Sequence, residues 1–301
     1  MSLEFIILEL IILMIFFLAI KTKILTVGGA FAAVFVGTLI SLSGFEFFTI
    51  LAAFFFSSSK ATNIHKQIKS KLLGRSYTKD KTRNPIQVFS KSLFPSLICL
   101  IIAKKYGPSM NLFDLENTIN NKLKLFLEFL FIGFFESANA DTWASELGIA
   151  SKNIPVLILK GFKPVPKGIN GAISGYGTMC SIYGGLFISF VTVICNIFRF
   201  GPLNFIQDKI LIYISIKVLL LGGIIGFIGS LIDSLLGQTV QLSIYNETKK
   251  CVIEKENEKE AKDNGDELKY YGKDILNNSG VNLVTGIITA LISGYFAIKI
   301  I

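Results

Sequence analysis

GINGAISGYGTMCSIYGGLFISFVTVICNIF, residues 168–198, contains no Asp, Glu, Lys or Arg. A helix needs about 20 apolar residues to cross the hydrocarbon core of a bilayer. This run exceeds that length, and residues 24–45 and 275–298 form two more uncharged runs. Three such stretches make the chain a polytopic membrane protein. Composition agrees: 51% of residues are hydrophobic, Phe occurs 27 times, and 17% are charged, against roughly a quarter in an average soluble domain. Mean hydropathy is +0.59. A disordered chain and a disulfide scaffold are excluded, and a soluble enzyme is disfavoured. The formal charge of +9 is not a nucleic-acid footprint here, because membrane proteins collect Lys and Arg in cytoplasmic loops. Cys99, Cys180 and Cys195 lie in apolar stretches and Cys251 in a charged one. No pair has metal-ligand spacing, so they read as packing residues or free thiols. Residues 3–20 lack the features of a cleaved signal and read as a retained membrane helix.

Working outward, the hydropathy pattern predicts an all-α fold. It is a polytopic transmembrane bundle of about eight helices, near 3–20, 24–43, 45–59, 86–103, 124–140, 171–197, 211–235 and 280–300, with cytoplasmic polar loops. Two helices are weak. The third has 13 uncharged residues between Glu46 and Lys60, and the fifth contains Glu128 and Glu136; either is short or faces a cavity. Loops 21–23, 60–85, 141–170 and 236–279 then share one side and hold 21 basic residues, against 7 on the other. The positive-inside rule makes that side cytoplasmic and places both termini outside. Residues 1–301 form one domain, with 236–279 as a charged cytoplasmic loop inside it. Its block from Glu254 to Glu267 has mixed charge and no apolar face, and reads as a solvated excursion. Gly171–Gly175 and Gly222–Gly226 have GxxxG spacing, which close helix packing explains.

Polar groups are costly in a membrane helix, so each cluster raises a functional question. Six gather at the cytoplasmic ends. Ser57-Ser58-Ser59-Lys60-Ala61-Thr62-Asn63 either caps a helix or binds phosphate with Lys60. Gly74-Arg75 through Arg83-Asn84-Pro85-Ile86-Gln87 leads into a helix start, where free N–H groups beside Arg83 suit an anion. Glu136-Ser-Ala-Asn139-Ala-Asp141-Thr142-Trp143-Ala-Ser145-Glu146 is the densest. On a helix Asn139, Thr142 and Glu146 share one face, and Asp141 with Glu146 suits Mg²⁺. KGFKPVPKGINGAISGYGT, 160–178, joins Lys163 and Lys167 to Gly168, Asn170 and Gly171 ahead of a helix. Its physics suits phosphate, although neither a Walker A loop nor GxGxxG is present. Asp233 begins DSLLGQTVQ after 15 uncharged residues. Asn277-Asn278-Ser279-Gly280-Val281-Asn282 supplies a helix cap and two further candidates, Asn278 and Asn282. His65, the single histidine, reads as structural.

ADTWASELG, KPVPKGINGAISGYGT, DSLLGQTVQ and NNSGVNL, in this order, resemble the motifs of a membrane-protein family whose characterised branch is the phytyl-phosphate kinase of plastid tocopherol synthesis. The similarity runs from about Ser57 to Leu283. The resemblance implies a CTP-preferring, Mg²⁺-dependent kinase that converts an isoprenyl monophosphate to the diphosphate. It is distantly similar to dolichol kinase and CDP-diacylglycerol synthase. Where similar proteins commonly show Gly after the threonine segment, this chain has Ile64-His65.

An isoprenyl monophosphate is already ionised at neutral pH, so its oxygen can attack a γ-phosphoryl group without a general base. Positioning and charge neutralisation do the rest. On this reading Asp141, Glu146 and Asp233 are the Mg²⁺ ligands, and Asp141, Asp233 and Lys167 the catalytic set. Asn139, Lys163, Lys167, Gly168, Asn170 and Gly171 hold the nucleotide, and Lys60, Arg83, Asn84 and Gln87 the acceptor phosphate. Ser58, Thr62, Asn278 and Asn282 complete the polar site, and the prenyl chain lies between the helices near 171–197 and 211–235. The partners are CTP, an isoprenyl phosphate lipid and the membrane, with no nucleic acid and with oligomerisation left open. The alternatives are a prenyl alcohol kinase or lipid cytidylyltransferase, where a hydroxyl acceptor would press Asp141 or Asp233 into service as a base. From another class comes a transporter or lipid flippase, against which the one-sided placement of the polar clusters argues.

Overall fold

The computed structural model describes residues 3–65, 68–69, 72, 82–108, 110, 112 and 121–301. The Gly74–Arg75 part of the basic loop lies outside the described residues. The long helices are α1 (Leu3–Lys21), α2 (Val27–Ser41), α3 (Phe45–Ile64), α4 (Pro85–Tyr106), α5 (Lys122–Leu147) and α6 (Gly175–Phe200). The short α7 (Pro202–Gln207) leads into α8 (Lys209–Val240), and α10 (Asn278–Ile300) ends the chain. Of these, α1, α4, α6, α8 and α10 are long and apolar enough to cross a membrane. The reading of about eight crossings adds α2, α3 and α5 to those five.

Charge keeps α5 out of the group of five, with Lys122, Lys124, Glu128, Glu136, Asp141 and Glu146 along it. It is enclosed by α3, α4, α6, α8 and α10, and Phe129, Phe131, Phe134 and Phe135 on it are fully buried. A helix apolar on every side is a core helix. Facing protein instead of lipid, it can carry carboxyls, and Glu136 accepts a hydrogen bond from Ser189 Oγ at 2.5 Å. The buried Glu46 of α3 likewise meets Arg199 Nη1 at 2.5 Å. Large apolar side chains of the outer helices, such as Phe17, Phe31, Phe190 and Leu220, point outward instead, as a lipid-facing surface requires.

The small residues of α6 and α8 bring those helices together. A Cβ added at Gly185 would lie 2.1 Å from the Gly222 carbonyl oxygen and 2.9 Å from Gly226 Cα. Gly222–Gly226 is therefore a packing motif, as its spacing predicts. Gly171–Gly175 is not: Gly171 precedes the helix, in a turn with φ of +74°, against Ser234 and Gln238 of α8.

Among the described residues the fold departs from all-α in two places. β1 (Val156–Leu157) and β2 (Lys163–Pro164) form an antiparallel pair. β3 (Ser243–Asn246) is the centre of an antiparallel sheet, with β4 (Cys251–Ile253) on one side and β5 (Leu268–Tyr271) on the other. The short α9 (Glu258–Asp263) links β4 to β5. The expected solvated excursion is thus a folded element. Ion pairs Lys249–Asp266 and Lys269–Glu247 lace it, and Ala261 is buried. Leu157, Val165, Ile169 and Tyr245 share one apolar cluster, so the β1–β2 loop and the sheet pack as a layer over the helix ends. The four cysteines are free and buried.

Candidate functional site

One end of the bundle holds a polar cavity of about 530 Å³. Three helices begin at it. Asn84, Ser174 and Asn277 are the N-caps of α4, α6 and α10, accepting from the backbone N–H groups of Gln87, Gly177 and Gly280 at 2.9, 3.1 and 2.9 Å. The first turns that follow line the cavity through Gln87, through Gly177 and Thr178, and through Asn278, Ser279 and Asn282. Each N-terminal turn presents N–H groups and a partial positive charge to an anion. Three loops assigned to one side by their charge therefore meet at one place.

The cavity's charged side chains are Lys69, Arg83, Lys91, Asp141, Glu146, Lys167 and Asp233. Asp141 on α5 and Asp233 on α8 are neighbours on the cavity wall, and Thr285 Oγ1 reaches Asp233 at 3.4 Å. Lys91 Nζ lies 3.9 Å from Asp141 Oδ2 and donates to Thr142 Oγ1 at 3.1 Å. Lys167 Nζ donates to the carbonyls of Ile149 and Ser151 at 3.2 and 2.5 Å, which fixes its ammonium on the cavity wall. Arg83 is held by backbone bonds, its N–H to Ile24 O at 2.9 Å and its carbonyl from Thr26 N at 3.1 Å. Burial pulls its guanidinium down from its ordinary value, and the Glu146 carboxylate opposes this. An Arg stays charged in proteins, so it favours an anion at this spot.

Several assigned residues sit elsewhere or are already engaged. Lys163 on β2, opposite Leu157 of β1, is exposed and outside the cavity wall. Lys60 is exposed on α3 and also outside the wall. Asn139 is fully buried away from it. Its Oδ1 accepts from Ser57 and Ser58 at 2.8 and 3.2 Å, and its Nδ2 donates to Gly184 O at 2.8 Å. It ties α3, α5 and α6 together, and Ser58 belongs to that tie. Asn84 is committed to a reciprocal cap with Gln87. Thr62 and Asn170 line the cavity, yet Thr62 bonds Ser58 O and Asn170 bonds Leu242 O and Ser243 Oγ. Gly168 and Gly171 also line it, with φ of +93° and +74°.

The metal set contracts. Glu146 is paired with Lys69, and among the described residues no three His, Cys, Asp or Glu side chains group as metal ligands. The Asp141–Asp233 pair remains. Mg²⁺ is commonly held through one or two carboxylates plus substrate phosphates, so this pair fits such an ion.

Lys91 is the residue that sequence reasoning missed. Its signal was present, since it stands in a helix long and apolar enough to cross a membrane, where a charge marks a site. Beside the polar cavity lies a smaller apolar one of about 90 Å³, walled by α1, α2, α3 and α4. The groove was expected between α6 and α8, which the Gly185–Gly222 contact brings close together at that point.

A model of the integral membrane protein family DUF92 matches residues 10–290. The chain belongs to that family. It is 30% identical to "Protein PGR" of Arabidopsis thaliana over 287 residues, covering 95% of this chain and 94% of the relative. It is 27% identical to an uncharacterized membrane protein of Synechocystis over 221 residues, 73% of each chain. A third relative, an uncharacterized membrane protein of Methanocaldococcus jannaschii, is 36% identical over 107 residues, covering 36% of this chain and 37% of the relative. No solved structure matches. Membership of this family is consistent with the resemblance to the phytyl-phosphate kinase-like proteins.

Proposed function

We propose that this protein is a membrane kinase that transfers the γ-phosphoryl group of CTP to an isoprenyl monophosphate, giving the diphosphate at the cytoplasmic face. The observation that carries this reading is the convergence of three helix N-terminal turns, Arg83, Lys91 and Lys167 on one cavity that also holds the Asp141–Asp233 pair. That is a donor set for phosphates on one side and for a divalent cation on the other.

In the proposed reaction an oxygen of the acceptor phosphate forms a bond to the γ-phosphorus, the bond from that phosphorus to the bridging oxygen breaks, and CDP leaves. The acceptor oxygen is already anionic, so no side chain has to remove a proton. Arg83 and Lys91 hold the acceptor phosphate. Lys167 and the first turn of α6 hold the nucleotide phosphates. Asp141 and Asp233 would hold Mg²⁺, which when bound neutralises charge developing on the transferred group. The excess of Lys and Arg in the loops at this end supports a cytoplasmic cavity, where nucleotides are.

The test is direct. Purified protein is incubated with CTP labelled on the γ-phosphate and a panel of prenyl monophosphates and alcohols. Label in an isoprenyl diphosphate supports the reading, and label in a monophosphate moves the acceptor to the alcohol. No label in any lipid, with uptake of substrate into sealed liposomes, would replace the kinase with a transporter.

A further inference from the structure

The two cavities are joined. Arg83, Gln87 and Lys91 line both. On the apolar side the wall is made of α2 residues Ala30, Ala33, Val34 and Gly37, which fall at i, i+3, i+4 and i+7 and so share one face. Phe48, Leu51, Ala52 and Phe55 do the same on α3, opposite Ile12, Ile15 and Phe16 of α1. Three of the four α2 residues are small, and that is what leaves space. An apolar void left unfilled forfeits dispersion contacts, and one lined only by hydrocarbon stays dry and accepts apolar guests. The groove has a direction. Phe55 lies toward the cationic mouth, with Arg83 Cζ 6.0 Å from its ring centroid, and Phe48 lies one face repeat of seven residues away, a depth of about 10 Å at the helical rise.

We propose that this groove holds the first part of a single isoprenyl chain, whose phosphate lies in the polar cavity at Arg83 and Lys91. This rests on the lipid-phosphate reading of the acceptor. Charge complementarity selects the occupant: the mouth is cationic and the walls are hydrocarbon, so the guest is an anion with an apolar tail. The groove is too short for a long prenyl chain, and the remainder runs out into lipid. Recognition therefore falls on the segment next to the phosphate.

The probe is geranylgeranyl monophosphate with a diazirine in its first isoprene units, photocrosslinked to the full-length protein in detergent and mapped by peptide mass spectrometry. Adducts are expected in 30–37 and 48–55. Ala33→Phe and Ala52→Phe should cut adduct yield at least about fivefold, the cost of overpacking the space. Leu220→Phe, on the outward side of α8, should leave it unchanged. Arg83→Gln should weaken labelling by the monophosphate probe and spare labelling by the matching alcohol. Ala33→Val is the milder version if the Phe variants do not stay monodisperse. Adducts confined to α6 and α8, or adducts in the groove that survive Ala33→Phe, would overturn the proposal. CTP transfer is assayed in parallel. Groove adducts without transfer would keep the site and remove the kinase, whereas transfer with adducts elsewhere would remove the groove alone.

Discussion

Lys91→Met tests the centre of the site. Lys91 is in the second turn of α4, with its ammonium 3.9 Å from Asp141 Oδ2 and 3.1 Å from Thr142 Oγ1. At that separation the gross attraction to Asp141 is about 4 kcal/mol for an effective dielectric near 20. Both side chains are about one-fifth exposed, at 23% and 20%, so water reduces this figure. The loss of one charge-assisted contact, about 1.5–3 kcal/mol, is the appropriate scale. If the ammonium also meets a phosphate in the transition state, kcat/KM should fall roughly 10- to 150-fold. A second effect has the opposite sign. Without Lys91 the Asp141–Asp233 pair is more negative, so the Mg²⁺ concentration for half-maximal rate should drop. Both quantities come from one assay, transfer of label from γ-labelled CTP across a Mg²⁺ titration. Lys91→Arg should retain part of the rate and shows that charge, not packing, is at issue. An unchanged kcat/KM in Lys91→Met would remove this residue from the site. A lower rate with an unchanged Mg²⁺ requirement would separate it from the carboxylates.

Four further outcomes follow from the same geometry. Asp141→Asn and Asp233→Asn should each abolish Mg²⁺-dependent transfer while the protein stays monodisperse in detergent; near-normal turnover at low Mg²⁺ in either variant would show that its carboxylate is not a ligand. Lys167→Ala should raise the apparent KM for CTP about tenfold, and Lys163→Ala should not; equal effects would return both lysines to one phosphate-binding loop. Cysteines placed at Glu256 and Lys259 should react with an impermeant thiol reagent only once the cytoplasmic face is opened, and labelling from outside in intact cells would reverse the topology. Gly185→Ala should lower the thermal midpoint in detergent by an amount matching about 1–3 kcal/mol of overpacking, and an unaltered midpoint would show that α6 and α8 can move apart freely.

The helices were legible because apolar runs need no tertiary information. The ends of α3 and α5 were not: they continue past Ser59 and Ala140 to Ile64 and Leu147, since a helix that meets protein at its end has no reason to stop where polar residues begin. The sheet at 243–271 was hidden by its charge. Its strands are short, and their buried residues, Ile244, Tyr245 and Cys251, are scattered among lysines and glutamates that pair with one another. In the site, Arg83, Asp141, Lys167 and Asp233 were readable as costly groups at helix ends. Lys163 and Lys167 looked alike in sequence, and the turn between them sends one outward and one into the cavity. Asn139 looked like a site residue because it shares a helix face with Thr142 and Glu146, yet it lies about 4.5 and 10.5 Å deeper along α5 than they do, and its amide bonds across the α3–α6 seam. Glu146 was read as a ligand because nothing local reveals Lys69, 77 residues away in sequence.

The directions of the helices account for the chemistry gathered at this end. α4, α6 and α10 begin at the cavity, whereas α3, α5 and α8 finish there. A helix start leaves four N–H groups without intrahelical partners, and the caps Asn84, Ser174 and Asn277 each satisfy one. The remaining donors favour an anion. Asp141 and Asp233 stand about two turns before the ends of α5 and α8, and two neighbouring carboxylates are disfavoured there unless a cation is near. Lys91 supplies one such charge from the start of α4. Two facing carboxylates exceed what a single ammonium neutralises, and the surplus is what a divalent ion would meet. A nucleotide with its metal presents both signs at once, phosphates for the three helix starts and Mg²⁺ for the two helix ends. On the proposed reading, the complement to that complex would lie in the up-and-down order of the bundle, and not in any one loop.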